Sequence, residues 1–539
     1  DIIQAWPGIF KWSAYLFTYR IQVSSTDKST NTAPPQRSLT RAILRDVIAA
    51  AWCSLAFSKS AREVMLQTRG VVDVAARLWF FEGNSEVSPV ADGLQMGAFL
   101  LKILSDTDEE ADWDRIISAA GGDVKKIVKI SLTRLKDASK APEFASSPLQ
   151  CFAILSFIER LCVSPKPKVF QTLLDHGLAF ICVRFLIRIA SVINEGSHNA
   201  DDRAEFAKIM VATFRVLLFC LEDTIGLPWV LQATNAGLLT AFVECSPLYK
   251  DLNHDDYTTV STSVNDTIPR YLAYSSVVQA VDAALLKLKK TERFLSLQRS
   301  RAWEAFNGLA LLTARRFRLV GQLKYVKKNL TTCSNPRCLK VDLRDTFRKC
   351  SKCRTAVYCS TECQTTHWSD SSFNHKKECH ERPKGDPDPE EYMDLSGRDS
   401  EYLILLNITE TRYNLPRLKH LAATEYSGTP LHDLVVVIDY NSVPTTTLFN
   451  LRSTWEADQP KLFKFPQGGR LPNLEPMSTT VVIGTVPYAG KGTPRYHVTP
   501  IPGGIWNLDK GVKGRQAGAR FAKRIDQEVQ AKRKLYSGV

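Results

Sequence analysis

The sequence predicts a multidomain chain: a large all-α N-terminal region, a small cysteine-rich module built around metal, and an α+β C-terminal domain. Three observations carry this. Amphipathic helical patterning runs almost unbroken from about 36 to 325. Seven of the thirteen cysteines fall between Cys333 and Cys379. After about 392 the pattern changes to short β-branched apolar runs. A length of 539 residues exceeds what one hydrophobic core organises, and the expected boundaries are 1–328, 329–381, a linker at 382–391, and 392–539.

In the first region, 37–57, 91–106, 121–138, 148–163, 204–223, 275–290 and 301–320 place apolar residues at three- and four-residue spacing. Breaks occur at 164–168, 194–202 and 248–257, and 21–36 reads as a polar connector. Units recur roughly every 40 residues, a spacing compatible with an armadillo/HEAT-like array, although no crisp repeat signature is present. The most apolar run, 173–193, is interrupted by Asp175, Arg184 and Arg188, so it reads as a buried helix and no membrane association is expected. The first residues lack a basic leader and a small-residue cleavage site, so no signal peptide is expected. Cys53, Cys151, Cys162, Cys182, Cys220 and Cys245 are scattered singly through apolar helical stretches, as buried free thiols are, and this points to an intracellular protein, nuclear or cytoplasmic.

The acidic, Pro- and Gly-containing 382–391 separates the cysteine-rich module from the last domain. There, 401–408, 433–440 and 480–488 are expected strands, 414–426 a helix, and 488–494 a hairpin loop; 515–535 is expected to be a basic amphipathic helix.

In the module between them the ligand-type residues run Cys333-x4-Cys338-x11-Cys350-x2-Cys353-x5-Cys359-x3-Cys363-x11-His375-x3-Cys379. Eight such side chains make two tetrahedral Zn²⁺ sites of four ligands each. Cys-x2-Cys forms a knuckle facing one ion, and an i, i+4 spacing on a helix brings Cys359 with Cys363, and His375 with Cys379, to one face. A redox pair would not need six further partners in register. Spacing alone permits a sequential or an interleaved pairing.

The order of ligands, with Tyr358-Cys359-x3-Cys363-Gln364-x3-Trp368, resembles the MYND zinc finger; the likeness covers about 47 residues. RING fingers place their histidine in the middle of the ligand order instead. The resemblance implies an interleaved pairing, with Cys333, Cys338, Cys359 and Cys363 on one ion and Cys350, Cys353, His375 and Cys379 on the other. Two features depart from the pattern: four residues separate the first two cysteines where two are usual, and six separate Trp368 from His375 where two are typical. The second insertion leaves His375-x3-Cys379 intact, so His375 is kept as ligand, with His367 and His380 as alternates. The resemblance also implies peptide binding, of Pro-x-Leu-x-Pro type in several MYND fingers, through positions matching Ser351, Gln364 and Trp368. A Trp face suits proline rings and a Gln amide bonds peptide backbone. The alternative is that Trp368 packs the small core and Gln364 caps a turn. A match to that peptide class occurs in the chain itself at Pro472–Pro476, a candidate for self-contact in cis or between copies.

The net charge of +14 concentrates in 315–384 and 510–534, which carry excesses of 11 and 7 positive charges. Thiolates around zinc offset part of the first cluster, since Arg337, Lys340, Arg344, Arg348, Lys349, Lys352 and Arg354 surround them in sequence. Nucleic-acid association is therefore the secondary expectation. No enzyme is expected, an unrecognised activity in 392–539 being the lesser alternative. The active-site stretch of the MYND-containing SET methyltransferases is not recognisable, no Gly-x-Ser-x-Gly or His-Glu-x-x-His motif occurs, and 488–494 lacks the P-loop order.

Overall fold

The computed structural model describes residues 2–22, 34–82, 97, 99–100, 110–140, 144, 149–196, 198–289, 291–335, 341–343, 346–352, 356–369, 375–380, 397–458, 480–489, 493–501 and 505–506. Cys338, Cys353, Pro472–Pro476, the linker 382–391 and the expected basic helix 515–535 lie outside them, as does most of the expected helix 91–106. The described chain is mostly helical, with the cysteine-rich module and a small sheet-containing C-terminal region. It divides into two compact units. The first comprises 1–224, 232–263 and 291–302; the second comprises 225–231, 264–290 and 303–539, so the expected boundary at 328 falls within the second unit.

The first unit is all helix. At its centre Ala200–Glu222 packs on both Leu149–Cys162 and Leu178–Glu195, and Leu155, Ile158, Leu186, Ile189, Phe214 and Leu217 on these helices are all fully buried. The apolar run 173–193 is buried as expected but is not one helix. Pro167–Asp175 and Leu178–Glu195 meet at 61°, because Gly177 adopts φ +81°, a left-handed conformation that costs glycine little. No single helix among the described residues is long and apolar enough to cross a membrane. The breaks at 194–202 and 248–257 are helix starts. Asn199 Oδ1 accepts from Asp202 N at 2.8 Å and Asn253 Oδ1 from Asp256 N at 2.8 Å, each followed by two acids in the first turn that favour the positive end of the helix dipole. Five of the six scattered cysteines are buried, and Cys53 is half-buried. Burial pushes the Cys151 and Cys182 thiols up to about 12, and those of Cys162, Cys220 and Cys245 upward as well, so they behave as small apolar side chains.

The second unit joins helices Ser275–Leu288, Trp303–Asn329, Gly397–Tyr413 and Leu415–Thr424 to a mixed sheet, with the cysteine-rich module inserted between the second and third of these. The module contributes β1 (Leu330–Thr332), β2 (Val341–Leu343), β3 (Arg348–Lys349) and β4 (Val357–Tyr358), paired β1–β2 and β3–β4. The sheet holds β5 (Leu434–Asp439), β6 (Thr446–Leu451), β7 (Thr480–Ala489) and β8 (Thr493–Ile501) in the order β6-β5-β7-β8. β5 and β7 run parallel and the two outer pairs antiparallel. The expected loop at 488–494 does turn a hairpin, with Ala489 opposite Thr493.

One expected strand is wrong. Residues 401–408 belong to helix Gly397–Tyr413. A short apolar run cannot be assigned by its apolar residues alone. The burial pattern decides it: Tyr402, Leu403, Leu406, Asn407, Glu410 and Thr411 are buried, a helical stripe half of which is polar. This stripe faces β5, β7 and β8. Asn407 is fully buried; its Oδ1 accepts from Tyr440 Oη at 2.9 Å and its Nδ2 donates to Thr499 Oγ1 at 3.0 Å. Gly484 on β7 makes room for it, since a Cβ there would sit 2.6 Å from Asn407 Oδ1. The other face of the sheet packs Val435, Val437, Val481 and Ile483 against Trp455, Tyr496 and Val498.

Candidate metal centre

The module is held by a few short backbone links. β3 and β4 pair Arg348 with Tyr358 and Lys349 with Val357, and Cys350 N closes the hairpin on Ala356 O at 2.9 Å. Ser334 clasps the same strand twice: its N donates to Val357 O at 2.7 Å and its Oγ accepts from Val357 N at 2.9 Å. These links put Cys333, Cys350 and Cys359 around one small core with Phe347 and Tyr358. Ser360 caps helix Thr361–Ser369 by accepting from Cys363 N at 3.2 Å, which aims the first turn back at that core. A second short helix, His375–His380, carries His375 and Cys379 one turn apart.

The result is two groups of ligand atoms. The sulfurs of Cys333, Cys359 and Cys363 lie within 4.8 Å of one another, and so do the ligand atoms of Cys350, His375 and Cys379. Cys359 and Cys363 Sγ are 3.5 Å apart. Tetrahedral Zn²⁺ with Zn–S near 2.3 Å places sulfurs about 3.8 Å apart, so this pair fits the ion. The chain supplies the two groups alternately: Cys333 to the first, Cys350 to the second, then Cys359 and Cys363 to the first, and His375 and Cys379 to the second. A sequential arrangement would have put Cys333 beside Cys350. One spacing expectation needs adjusting: Cys359 lies in the bend before helix Thr361–Ser369, not on it, and the cap at Ser360 aligns it with Cys363.

His375 is the ligand-type histidine the structure brings to a cluster. His367 is buried too, but it belongs to neither cluster; its Nδ1 is hydrogen-bonded with Tyr358 Oη at 3.1 Å. The side chain of His380 lies outside the described residues. Around His375 stand the rings of His367, Trp368 and Tyr358, with centroids at 5.2, 5.8 and 6.0 Å. Of this aromatic box the sequence offers only Trp368, as the alternative in which it packs the small core; Tyr358 and His367 are not assigned to it. Trp368 packs on His375 and remains half-buried, Gln364 is half-buried one turn earlier on the same helix, and Ser351 is exposed just after β3. Of the basic residues near the thiols, Arg348 donates to Thr361 Oγ1 at 2.9 Å and Lys349 and Lys352 are exposed. Arg337, Lys340, Arg344 and Arg354 lie outside the described residues.

Residues 332–379 match the family model described as the MYND finger. This stretch is a MYND finger. MYND fingers bind zinc and in general mediate protein–protein interactions. Neither a curated protein nor a solved structure matches the chain.

Proposed function

We infer that the chain is a zinc-dependent adaptor whose MYND finger holds two Zn²⁺ and captures an extended segment of a partner protein. One ion would be held by Cys333, Cys359 and Cys363 with Cys338, the other by Cys350, His375 and Cys379 with Cys353. The donor sets are thiolate and imidazole, which suit zinc. Bound there, zinc supplies folding energy that so small an apolar core lacks. With four protein ligands on each ion no coordination position is left for substrate, so the reading is a binding module and not an enzyme. The free, buried cysteines support an intracellular setting. The helical region, read as a scaffold, presents the finger.

The observation that carries the peptide reading is the placement of Gln364 and Trp368. They lie one turn apart on helix Thr361–Ser369 and both are partly open to solvent, and Ser351, just after β3, is exposed. An indole face beside a short strand suits proline rings, and the amide suits peptide backbone, which favours the Pro-x-Leu-x-Pro class. Screening a peptide array with the whole chain, with Gln364→Ala and with Trp368→Ala tests it. Both variants should lose the selected peptides while keeping their zinc. No selected peptide at all, or undiminished binding by both variants, would overturn the reading and leave the finger a structural clip.

A further inference from the structure

Arg316, in helix Trp303–Asn329, is 1% exposed. Its guanidinium carries five N–H donors and a positive charge. Nη1 donates to Pro269 O at 3.3 Å and Nη2 to Thr445 Oγ1 at 3.2 Å, both long, and Nε is buried without an acceptor. No carboxylate pairs with it among the described residues, since buried Glu410 is bound by the neighbouring Arg315 at 2.9 Å. The Tyr440 ring, 5.5 Å away, offers a weak cation–π contact. A buried cation so poorly compensated is costly, and such costs are retained where a ligand uses them.

The place fits a ligand. Tyr440 and Thr445 bracket the turn after β5, at the carboxyl end of the parallel pair β5–β7, where open sheets with parallel strands bind ligands. The turn is open to solvent, with Val443 42% exposed and Thr445 half-buried. It also carries a second buried polar atom without a partner, Asn441 Oδ1.

We propose that Arg316 and Thr445 form a binding site for a small oxyanion, a phosphate or carboxylate group, entered over the 440–445 turn. The unpartnered Nε–H lies on the side edge of the planar guanidinium, the edge that takes an oxyanion. The Thr445 hydroxyl accepts from Nη2 and keeps its own proton to donate to the same anion. Phosphate carries more negative charge than a carboxylate and gains more from an uncompensated guanidinium, so phosphate is the better fit. The site shares no residue with the metal centre and does not depend on the peptide reading.

The test is thermal unfolding of the full chain in potassium chloride, acetate and phosphate at matched ionic strength, with Arg316→Met and Thr445→Val alongside. Phosphate should raise the wild-type midpoint saturably, acetate less so. Arg316→Met should abolish the saturable shift while unfolding no earlier in chloride, because it removes an uncompensated charge. Thr445→Val should weaken the phosphate response at least tenfold in concentration. A wild-type midpoint that rises with phosphate only linearly, as with any excluded salt, would sink the proposal. So would a saturable shift retained in Arg316→Met. Should that variant not fold, an undiminished response in Thr445→Val is decisive against it.

Discussion

Asp399, buried in the first turn of helix Gly397–Tyr413, accepts from Ser275 Oγ at 2.7 Å and from Ser276 N at 3.1 Å, and so caps a helix that begins more than a hundred residues earlier. Tyr274 adds a second link across the same seam, its hydroxyl donating to Pro487 O at 2.6 Å. Replacing Asp399 with Ala leaves the Ser275–Leu288 amino end without its acceptor, and should cost about 1–3 kcal/mol in chemical denaturation. A fragment of 392–539 lacks the capped helix altogether and should show no cooperative unfolding, whereas 225–539 should. A cooperative melt of the shorter fragment would show that the seam contributes little.

Zinc quantification on the whole chain should return two ions. Cys359→Ser should lose one and keep the ion held by Cys350, His375 and Cys379, while Cys350→Ser should do the reverse. Loss of both ions in each variant would mean that the two sites fold as one.

Gly484→Ala is expected to be among the most damaging small substitutions in the sheet. Its methyl would meet Asn407 Oδ1 at 2.6 Å and Tyr440 Cε2 at 3.1 Å, and both partners are buried and hydrogen-bonded. The expected loss is about 2–4 kcal/mol, read from the denaturant midpoint. A loss below about 1 kcal/mol would mean that Asn407 can withdraw freely.

His497 on β8 sits in a row of hydroxyls, with Nδ1 3.4 Å from Thr499 Oγ1 and Nε2 3.3 Å from Ser400 Oγ. Thr499 receives from Asn407 Nδ2, which leaves its own proton for Nδ1 and makes the neutral imidazole the species that fits. Burial, and then the nearby Arg495, push its pKa down from the ordinary 6.5 to about 4. The unfolded chain therefore binds the proton first. The contribution of His497 is complete above pH 6.5 and drains away as pH falls towards 4. Allowing for partial exposure, the loss should be about 2 kcal/mol across that window. His497→Gln should flatten the stability–pH curve there, and an unchanged slope would assign it to other groups.

What the sequence disclosed follows from how local each signal is. The finger was legible almost residue by residue because coordination imposes fixed spacings, and the core helices because their apolar stripes are long. Helix Gly397–Tyr413 was misread because the stripe it turns inward includes Asn407 and Glu410, polar residues that pay their way through partners on distant strands and on helix Trp303–Asn329, and Thr411, which bonds back to Asn407 O. The strands β6 and β8 went unseen for a related reason. β6 alternates modestly, and β8 carries Pro494, Pro500 and His497 in an edge position. Arg316 drew no notice because a lone arginine in an amphipathic helix reads as solvated until its burial is known.

Within the second unit the MYND finger follows the end of helix Trp303–Asn329 and precedes helix Gly397–Tyr413, and the Arg315–Glu410 ion pair ties those two helices to each other. The finger is thus a long closed excursion from a body that is already fastened at its root. Closing such a loop costs an entropy that grows only with the logarithm of its length, and the cost is met whether or not the excursion is ordered. Chelation should therefore unravel the finger while helix Trp303–Asn329 keeps its place on helix Gly397–Tyr413. The adaptor would lose its grip on a partner when metal is withdrawn and regain it when metal returns, without refolding the body that carries it.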